Sequence, residues 1–372
     1  MHELLPGPSM ALDRISLSGY RNHIDTAIKG TRAVNLLVGA NGAGKTNVLE
    51  ALSLFAPGRG MRRAALADMA RHDGGGGFAI GADLTAAHIG EGEPVRLGTY
   101  TEPARPGRRR VRINGAEKSA VALGEWLAVG WLTPAMDGLF TGPAQDRRRY
   151  LDRLALALDP DHASRANRYE AALRERNRLL SDDRELDPVW LDAIEAQLAE
   201  HGAALSRGRA ALIDAMMAEI VIQPEAPFPR PALSYAPGGP EGFEALSQAL
   251  HDGRRRDRAA QRTLTGPHRD DLEVLYAAKR MPAAACSTGE QKALLLAMTL
   301  AHAALAAKGR ASLLLLDEVA AHLDPDRRIA LFDRLRSGGA QVWMTGTEIA
   351  PFEAIAGEAA VWEVRGGAAS PR

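Results

Sequence analysis

The sequence predicts a mixed α/β protein: a parallel-sheet core closed by both ends of the chain, an antiparallel β segment beside it, and a helical lobe inserted in the middle. Three observations predict it. A nearly continuous apolar run, Val34-Asn35-Leu36-Leu37-Val38, leads straight into a glycine-rich loop and then a helical pattern. Toward the other end, helix and strand patterns alternate, the order that builds a parallel sheet. Between them, from about 144 to 220, the apolar residues recur at helical steps.

Length and composition bound this reading. A chain of 372 residues fits two or three lobes better than one core. Its 46 Lys+Arg balance 46 Asp+Glu, which excludes a polycation that grips nucleic acid with its whole surface. With 46% apolar and 25% charged residues, the disordered class is excluded as well. Cys286 is the only cysteine, so neither an internal disulfide framework nor a cysteine-built zinc site is available. A reducing, cytoplasmic setting is expected. No run approaches the roughly 20 apolar residues that cross a bilayer. Residues 1–10 lack the basic and apolar regions of an export signal and are expected to form a flexible extension.

In chain order, Ile15 and Leu17 alternate with serines as a first strand, and residues 34–38 read as a buried second one. The helix after the glycine loop carries Val48, Leu49, Leu52 and Phe55, and Pro57-Gly58 stops it. Residues 78–115 read as an antiparallel meander, with alternation from Phe78 to Leu84, a strand from Val95 to Tyr100 and a hairpin turn at Asn114-Gly115. In the helical stretch, Ile194, Leu198, Leu205, Leu212 and Met216 oppose Tyr169, Leu173 and Leu180. The break at Ser181–Pro188 predicts an antiparallel helical hairpin. Strands are expected at Ala232–Tyr235 and Leu272–Tyr276, with a helix over about 241–262 between them. A helix over about 289–307, the strand Leu313–Leu316, a helix near 325–336 and the strand Gln341–Met344 complete the pattern.

Three segments carry chemistry. Gly39-Ala40-Asn41-Gly42-Ala43-Gly44-Lys45-Thr46 matches G-x-x-x-x-G-K-[ST] in full, with a strand before and a helix after. Its glycines let backbone N–H groups converge on phosphate oxygens, Lys45 would reach the β- and γ-phosphates, and the Thr46 hydroxyl would ligate Mg²⁺. The strand Leu313–Leu316 ends in Asp317-Glu318. There Asp317 can hold the metal through water and Glu318 can polarise the attacking water as general base. Third, Cys286-Ser287-Thr288-Gly289-Glu290-Gln291-Lys292 opens a helix. On its own that segment reads as an ordinary N-cap; beside the other two it resembles the signature turn of ABC-type ATPases, which closes on a γ-phosphate held by another subunit.

With further segments the chain resembles the RecF family of bacterial recombination and gap-repair ATPases, relatives of the SMC heads. The resemblance rests on Gly19-Tyr20-Arg21-Asn22, on residues 39–51, on Gly142-Pro143 followed by Arg147-Arg148-Arg149-Tyr150-Leu151-Asp152, on Thr265-Gly266-Pro267-His268-Arg269-Asp270-Asp271, and on Ser287–Lys292. It spans nearly the whole chain and implies a P-loop NTPase fold of ABC/SMC-head type. It also implies ATP and Mg²⁺ as cofactors. Arg21, Asn22 and residues 39–47, Asn47 included, would contact the nucleotide, and Ser287, Gly289 and Gln291 would act in trans on a homodimer partner. Asp324, in Ala321-His322-Leu323-Asp324, would serve as the subunit-joining D-loop. The domain boundaries expected are 1–10, 11–135 with the phosphate loop, 136–265 as the helical lobe, and 266–372 with signature and acidic strand. The family's role implies DNA gaps as the target, RecR and RecO as partners in loading RecA, and a place in replication restart and the SOS response.

The chain departs from the ABC pattern twice. Thr345-Gly346-Thr347 stands where a switch histidine is expected, and Thr347 is the candidate for the γ-phosphate side; no Q-loop glutamine is evident, Gln145 being a poor fit. Both departures imply slow hydrolysis. Arginine clusters at Arg108, Arg109, Arg110, at 147–149 and at Arg254, Arg255, Arg256 either neutralise DNA phosphates or form solvated faces paired with local acids. His268 and Arg269 read equally as phosphate sensors and as partners of Asp270 or Asp271. The rival classes are a transporter's nucleotide-binding subunit, which the helical insertion argues against, an SMC-like head working with a nuclease, which needs longer arms, and a DNA-binding protein that ATP merely gates.

Overall fold

The computed structural model describes residues 10–86, 93–182, 187–308 and 310–372, so the expected extension lies, except for Met10, outside the described residues. The chain forms two compact units. The first takes in residues up to 137, 223–228 and from 295 onward; the second takes in 138–222 and 229–294.

The first unit opens with β1 (Met10–Tyr20), β2 (His23–Ile28), β3 (Val34–Val38), α1 (Lys45–Ser53) and α2 (Leu66–Met69). It continues through β4 (Ala79–Ala86), β5 (Val95–Glu102), β6 (Arg105–Ile113), β7 (Ala116–Lys118), α3 (Leu123–Trp126) and β8 (Leu127–Leu132). The second unit holds α4 (Ala144–Leu158), α5 (His162–Leu180), α6 (Pro188–Ile222), β9 (Pro231–Ala236), α7 (Phe243–Asp252), α8 (Arg254–Ala259), β10 (Asp271–Tyr276) and β11 (Met281–Pro282). Next, α9 (Thr288–Ala307) begins in the second unit and ends in the first. The first unit then resumes with β12 (Ala311–Leu316), α10 (Pro325–Ser337), β13 (Gln341–Gly346), α11 (Glu353–Ala356), β14 (Ala360–Arg365) and β15 (Ala368–Pro371).

One six-stranded sheet runs β15-β14-β3-β13-β12-β8, parallel throughout except for β15 at its edge. Every residue of β3, β12 and β13 is buried, which is why these strands read as apolar runs rather than alternations. Their register matters most. Val38 pairs with Gly346, and Leu316 with Met344, so the carboxyl ends of β3, β13 and β12 finish side by side. That is where open parallel sheets place their ligands. The second sheet, β2-β1-β4-β5-β6-β7, is antiparallel. Leu17, Ile80 and Leu97 from this sheet share a core with Val48, Leu49 and Leu52 of α1 and with Trp343 and Trp362, whose rings stack 5.5 Å apart.

In the second unit, α5 and α6 fold back antiparallel: Tyr169 lies against Gly202, and Arg176 against Glu195. Residues 183–186 of the expected break lie outside the described residues. The apolar seam of Tyr169, Ala172, Ile194, Leu198 and Leu205 is joined by Leu246 and Leu250 of α7. The fully buried Arg176 guanidinium ties α5 to α6 and α8, donating to Glu195, to Asp257 at 2.7 Å, to Thr263 at 2.9 Å and to the Leu250 carbonyl at 2.9 Å.

Several expected elements change. β2, β8, β14 and β15 are additional to the expected strands; the pattern of β2 is buried, exposed, exposed, buried, which hides its period of two. Gly253 divides the expected helix over 241–262 into α7 and α8. Helix α1 ends at Ser53, short of Pro57. Residues 266–294, which the sequence reading groups with the C-terminal ATPase lobe, cluster in the second unit. Among the described residues no helix is long and apolar enough to cross a membrane.

Replacing Arg176 by alanine would leave the Glu195 and Asp257 carboxylates buried without their shared partner. The expected loss is about 3–5 kcal/mol, whereas Arg178→Ala, whose partner Glu175 sits at the surface, should leave stability nearly unchanged. Chemical denaturation of the two variants side by side measures the difference.

Candidate functional site

The phosphate loop takes its shape from contacts that a side chain would break. Gly39 lies so close to β14 that a Cβ would sit 2.3 Å from the Val364 carbonyl. Gly44 has φ +116°, and a Cβ there would meet Asn22 at 2.8 Å and His23 at 2.9 Å. Helix α1 starts without a side-chain cap, so its first N–H groups are available to an anion. Lys45 is buried, and its ammonium donates to the Gly39 carbonyl at 2.6 Å and to that of Ala40 at 3.0 Å, which aims it across the loop.

A polar bracket grips the far side of the loop. Asn22 donates to the Ala43 carbonyl at 3.0 Å and accepts from Asn47 at 2.7 Å. Gly367, in the turn between β14 and β15, donates its N–H to the same Ala43 carbonyl at 3.0 Å. The fully buried His23 ring lies 3.1 Å from the Gly44 carbonyl and 3.0 Å from the Thr26 hydroxyl, which in turn donates to the Gly367 carbonyl. Sequence reasoning missed His23 and the turn. An isolated histidine and a glycine pair hundreds of residues away carry no motif that would link them.

The acidic residues come from the neighbouring strands. Asp317 follows β12, and its Oδ1 accepts from the Thr46 hydroxyl at 2.9 Å and from the Thr345 hydroxyl at 2.8 Å. Glu318 is half-buried and holds φ +55°, a left-handed conformation that costs a non-glycine residue about 1–2 kcal/mol. Thr347, the residue singled out at the switch position, is exposed; the structure brings Thr345 to the site instead. The reason is the end of the strand: Thr345 is the last residue but one of β13 and faces Asp317, while Thr347 lies beyond it. Thr46 and Asp317 offer hard oxygen ligands, and among the described residues no cluster of three or more His, Cys, Asp and Glu exists. That donor set fits Mg²⁺, which takes one or two protein oxygens and completes its shell with water and phosphate.

Other expected residues fall elsewhere. One guanidinium edge of Arg21 donates to both oxygens of the buried Glu50, at 2.7 and 2.8 Å, and its remaining nitrogen donates to the Asp68 carbonyl, so its donors are engaged within the protein. In the second unit Ser287, Thr288 and Gly289 are exposed. Ser287 and Glu290 form a reciprocal cap, and Lys279 and Ser287 together hold the Glu290 carboxyl down to about 2. Gln291 is buried, and its amide donates to the Cys286 carbonyl at 2.9 Å. Asp324 caps α10 by accepting from the Arg327 N–H and is exposed.

The arginine clusters divide in two. Arg109 reaches inward and donates to the carbonyls of Leu54, Ala56 and Gly58, closing the end of α1. Arg110 is paired with Glu102 and Glu117, and Arg254 with Asp192 and Glu195. Arg108, Arg255 and Arg256 are exposed. Arg147 pairs with Asp271, and Arg148 donates to the Asp270 carbonyl. Asp270 itself is buried against Arg209, and His268 bridges Tyr169 and the Thr263 carbonyl. These groups hold the second unit together.

The fold and the site define a P-loop ATPase head of ABC/SMC type. A family model described as "RecF/RecN/SMC N terminal domain" matches residues 11–354. The DNA replication and repair protein RecF of Brucella suis biovar 1 (strain 1330) is 48% identical over 371 residues, covering 96% of this chain and 95% of that protein. Its counterpart in Agrobacterium fabrum (strain C58) is 47% identical over 377 residues, covering 96% and 98%. The chain belongs to the RecF family. In fold it matches the solved structure of the recombination mediator protein RecF-ATP in the RecFOR pathway, with TM-score 0.85 at 22% identity over 100% of both chains. The Smc head domain from Pyrococcus furiosus is more distant, with TM-score 0.55 at 16% identity over 98% of this chain and 96% of that one.

Burial lowers the His23 imidazole below its ordinary value, so the fold favours the neutral ring. Stability from that preference is full above about pH 6.5 and is lost as pH falls below it, because the unfolded chain takes up the proton first. Between pH 7 and 5 the thermal midpoint of the wild type should therefore fall further than that of His23→Gln, as followed by circular dichroism.

Proposed function

We propose that this chain is an ATP-dependent DNA-binding protein of recombinational gap repair, in which ATP joins two copies into a clamp and hydrolysis releases it. One observation carries the reading. Gly289 lies in the first turn of α9, is exposed, and a Cβ there would meet nothing within 4 Å. A glycine in a helix costs up to about 1 kcal/mol relative to alanine. The missing side chain leaves room at this turn for the close approach of a nucleotide held on a second copy. Ser287, two residues before it, is exposed at the same turn, its hydroxyl held in place by the cap with Glu290.

The chemistry follows from the loop. Lys45 and the uncapped start of α1 bind the β- and γ-phosphates, and Asn22, Asn47 and residues 39–44 hold the loop around them. Thr46 and Asp317 would hold Mg²⁺, which supplies charge to balance the phosphate oxygens. Glu318 takes a proton from water as the water oxygen bonds to the γ-phosphorus and the bond to the ADP oxygen breaks. With Thr345-Gly346-Thr347 in place of a switch histidine, turnover is slow and stimulated by DNA, which suits a timer. The exposed arginines Arg108, Arg255 and Arg256 are the candidates for phosphate contact at a single-strand/duplex gap, binding without sequence readout. The relatives' names, DNA replication and repair protein RecF, and the RecFOR pathway named for the solved structure support RecR and RecO as partners in loading RecA. A cytoplasmic location goes with this role.

Light scattering of Glu318→Gln with ATP and Mg²⁺ should report twice the monomer mass, and Ser287→Arg should return it to the monomer. A monomeric mass for Glu318→Gln under those conditions would overturn the clamp. Lys45→Arg should lower turnover by at least about 10-fold, as expected when charge at the transferred phosphoryl is displaced. Titration onto gapped, duplex and single-stranded DNA, with and without ATP, tests the target: gapped DNA should bind tightest, and only with ATP.

A further inference from the structure

We infer that Thr345 is the positioning residue of the hydrolytic site: its hydroxyl fixes, at once, the carboxylate that serves the metal and the backbone that carries the general base. The inference rests on the roles proposed above for Asp317 and Glu318.

The hydrogen bonds account for every proton. The Thr345 side chain is buried, at 1% exposure, so its hydroxyl must find partners within the protein. It donates its one proton to Asp317 Oδ1 at 2.8 Å and accepts the N–H of Glu318 at 2.9 Å. Thr46 donates to the same Oδ1 at 2.9 Å. Two hydroxyls therefore occupy one carboxylate oxygen and stop the carboxylate from rotating. Among the described residues no hydrogen-bond donor meets Oδ2.

The second bond acts on the base. Glu318 sits in the left-handed region, where a β-carbon crowds the carbonyl that follows it. Such a conformation persists only where surrounding contacts over-determine it. The Thr345 oxygen is the acceptor that secures this peptide N–H and thereby the direction in which the Glu318 side chain leaves the backbone. The register of the sheet makes this possible. Leu316 pairs with Met344, so the next residues of the two strands, Asp317 and Thr345, emerge opposite each other. Serine keeps this pair of bonds; valine has the same shape and keeps neither.

The test is steady-state ATP turnover of the full chain with gapped DNA, together with nucleotide affinity, for Thr345→Val, Thr345→Ser and Glu318→Gln. Thr345→Val should lower kcat about 10–100-fold, the usual cost of removing a partner that orients a metal-site carboxylate, with nucleotide affinity kept within about threefold. Thr345→Ser should recover most of the rate. A Thr345→Val protein with wild-type kcat, or one that loses affinity while kcat holds, overturns the inference. If thermal melting shows that Thr345→Val does not fold, Thr345→Ala is judged by the same split. The Glu318→Gln arm separates the two levels. Wild-type turnover there would overturn the role given to Glu318, whereas a dead Glu318→Gln beside an active Thr345→Val overturns only the role given to Thr345.

Discussion

Three stretches of chain meet on one atom, Asp317 Oδ1. The start of α1 reaches it through Thr46, the end of β12 supplies it, and the end of β13 reaches it through Thr345. Each bond needs the parallel sheet in its observed register. A slip of one residue between β12 and β13 would turn Thr345 to the opposite face and leave a buried hydroxyl and a strained glutamate without partners. The sheet is therefore more than a scaffold: its register sets the spacing of the chemistry.

The phosphate loop depends on contacts of the same long-range kind. Its floor is the backbone of β14, and its flank is the Gly367 turn working with Asn22 and His23. The residues of the motif specify how the loop bends; residues outside the motif decide where it sits. Arg21, adjacent to Asn22, is engaged elsewhere. Its guanidinium neutralises the buried Glu50 of α1, a carboxylate it shares with Arg62.

Much of the architecture was legible in the sequence, because both the parallel strands and the loop carry strong local patterns. β3, β12 and β13 are continuous apolar runs, and the glycine loop follows its strand directly. β2 was hidden because it exposes two adjacent residues, whereas the hairpin of β14 and β15 did carry a signal, the two-residue Gly366-Gly367 turn, which the sequence reading missed. At the site, Thr46 and Asp317 meet through a hydrogen bond, and Glu318 follows Asp317 in the chain. Thr345 escaped because its importance lies in strand register, which no single segment encodes, and Thr347 was chosen from position alone. The arginines show the same limit. Composition counts charges, yet Arg109, Arg110 and Arg254 turn to internal carbonyls and acids, and only packing distinguishes them from Arg108, Arg255 and Arg256.

The placement of β3 has a consequence for how the molecule is made. This strand feeds the phosphate loop, yet its sheet neighbours among the described residues are β13 and β14, which follow it far along the chain. Until residues 341–365 emerge, the glycine loop has no sheet beneath it, and pairings so distant in sequence are slow to form. A chain that lacks those strands would therefore lack the support on which capture of a nucleotide depends.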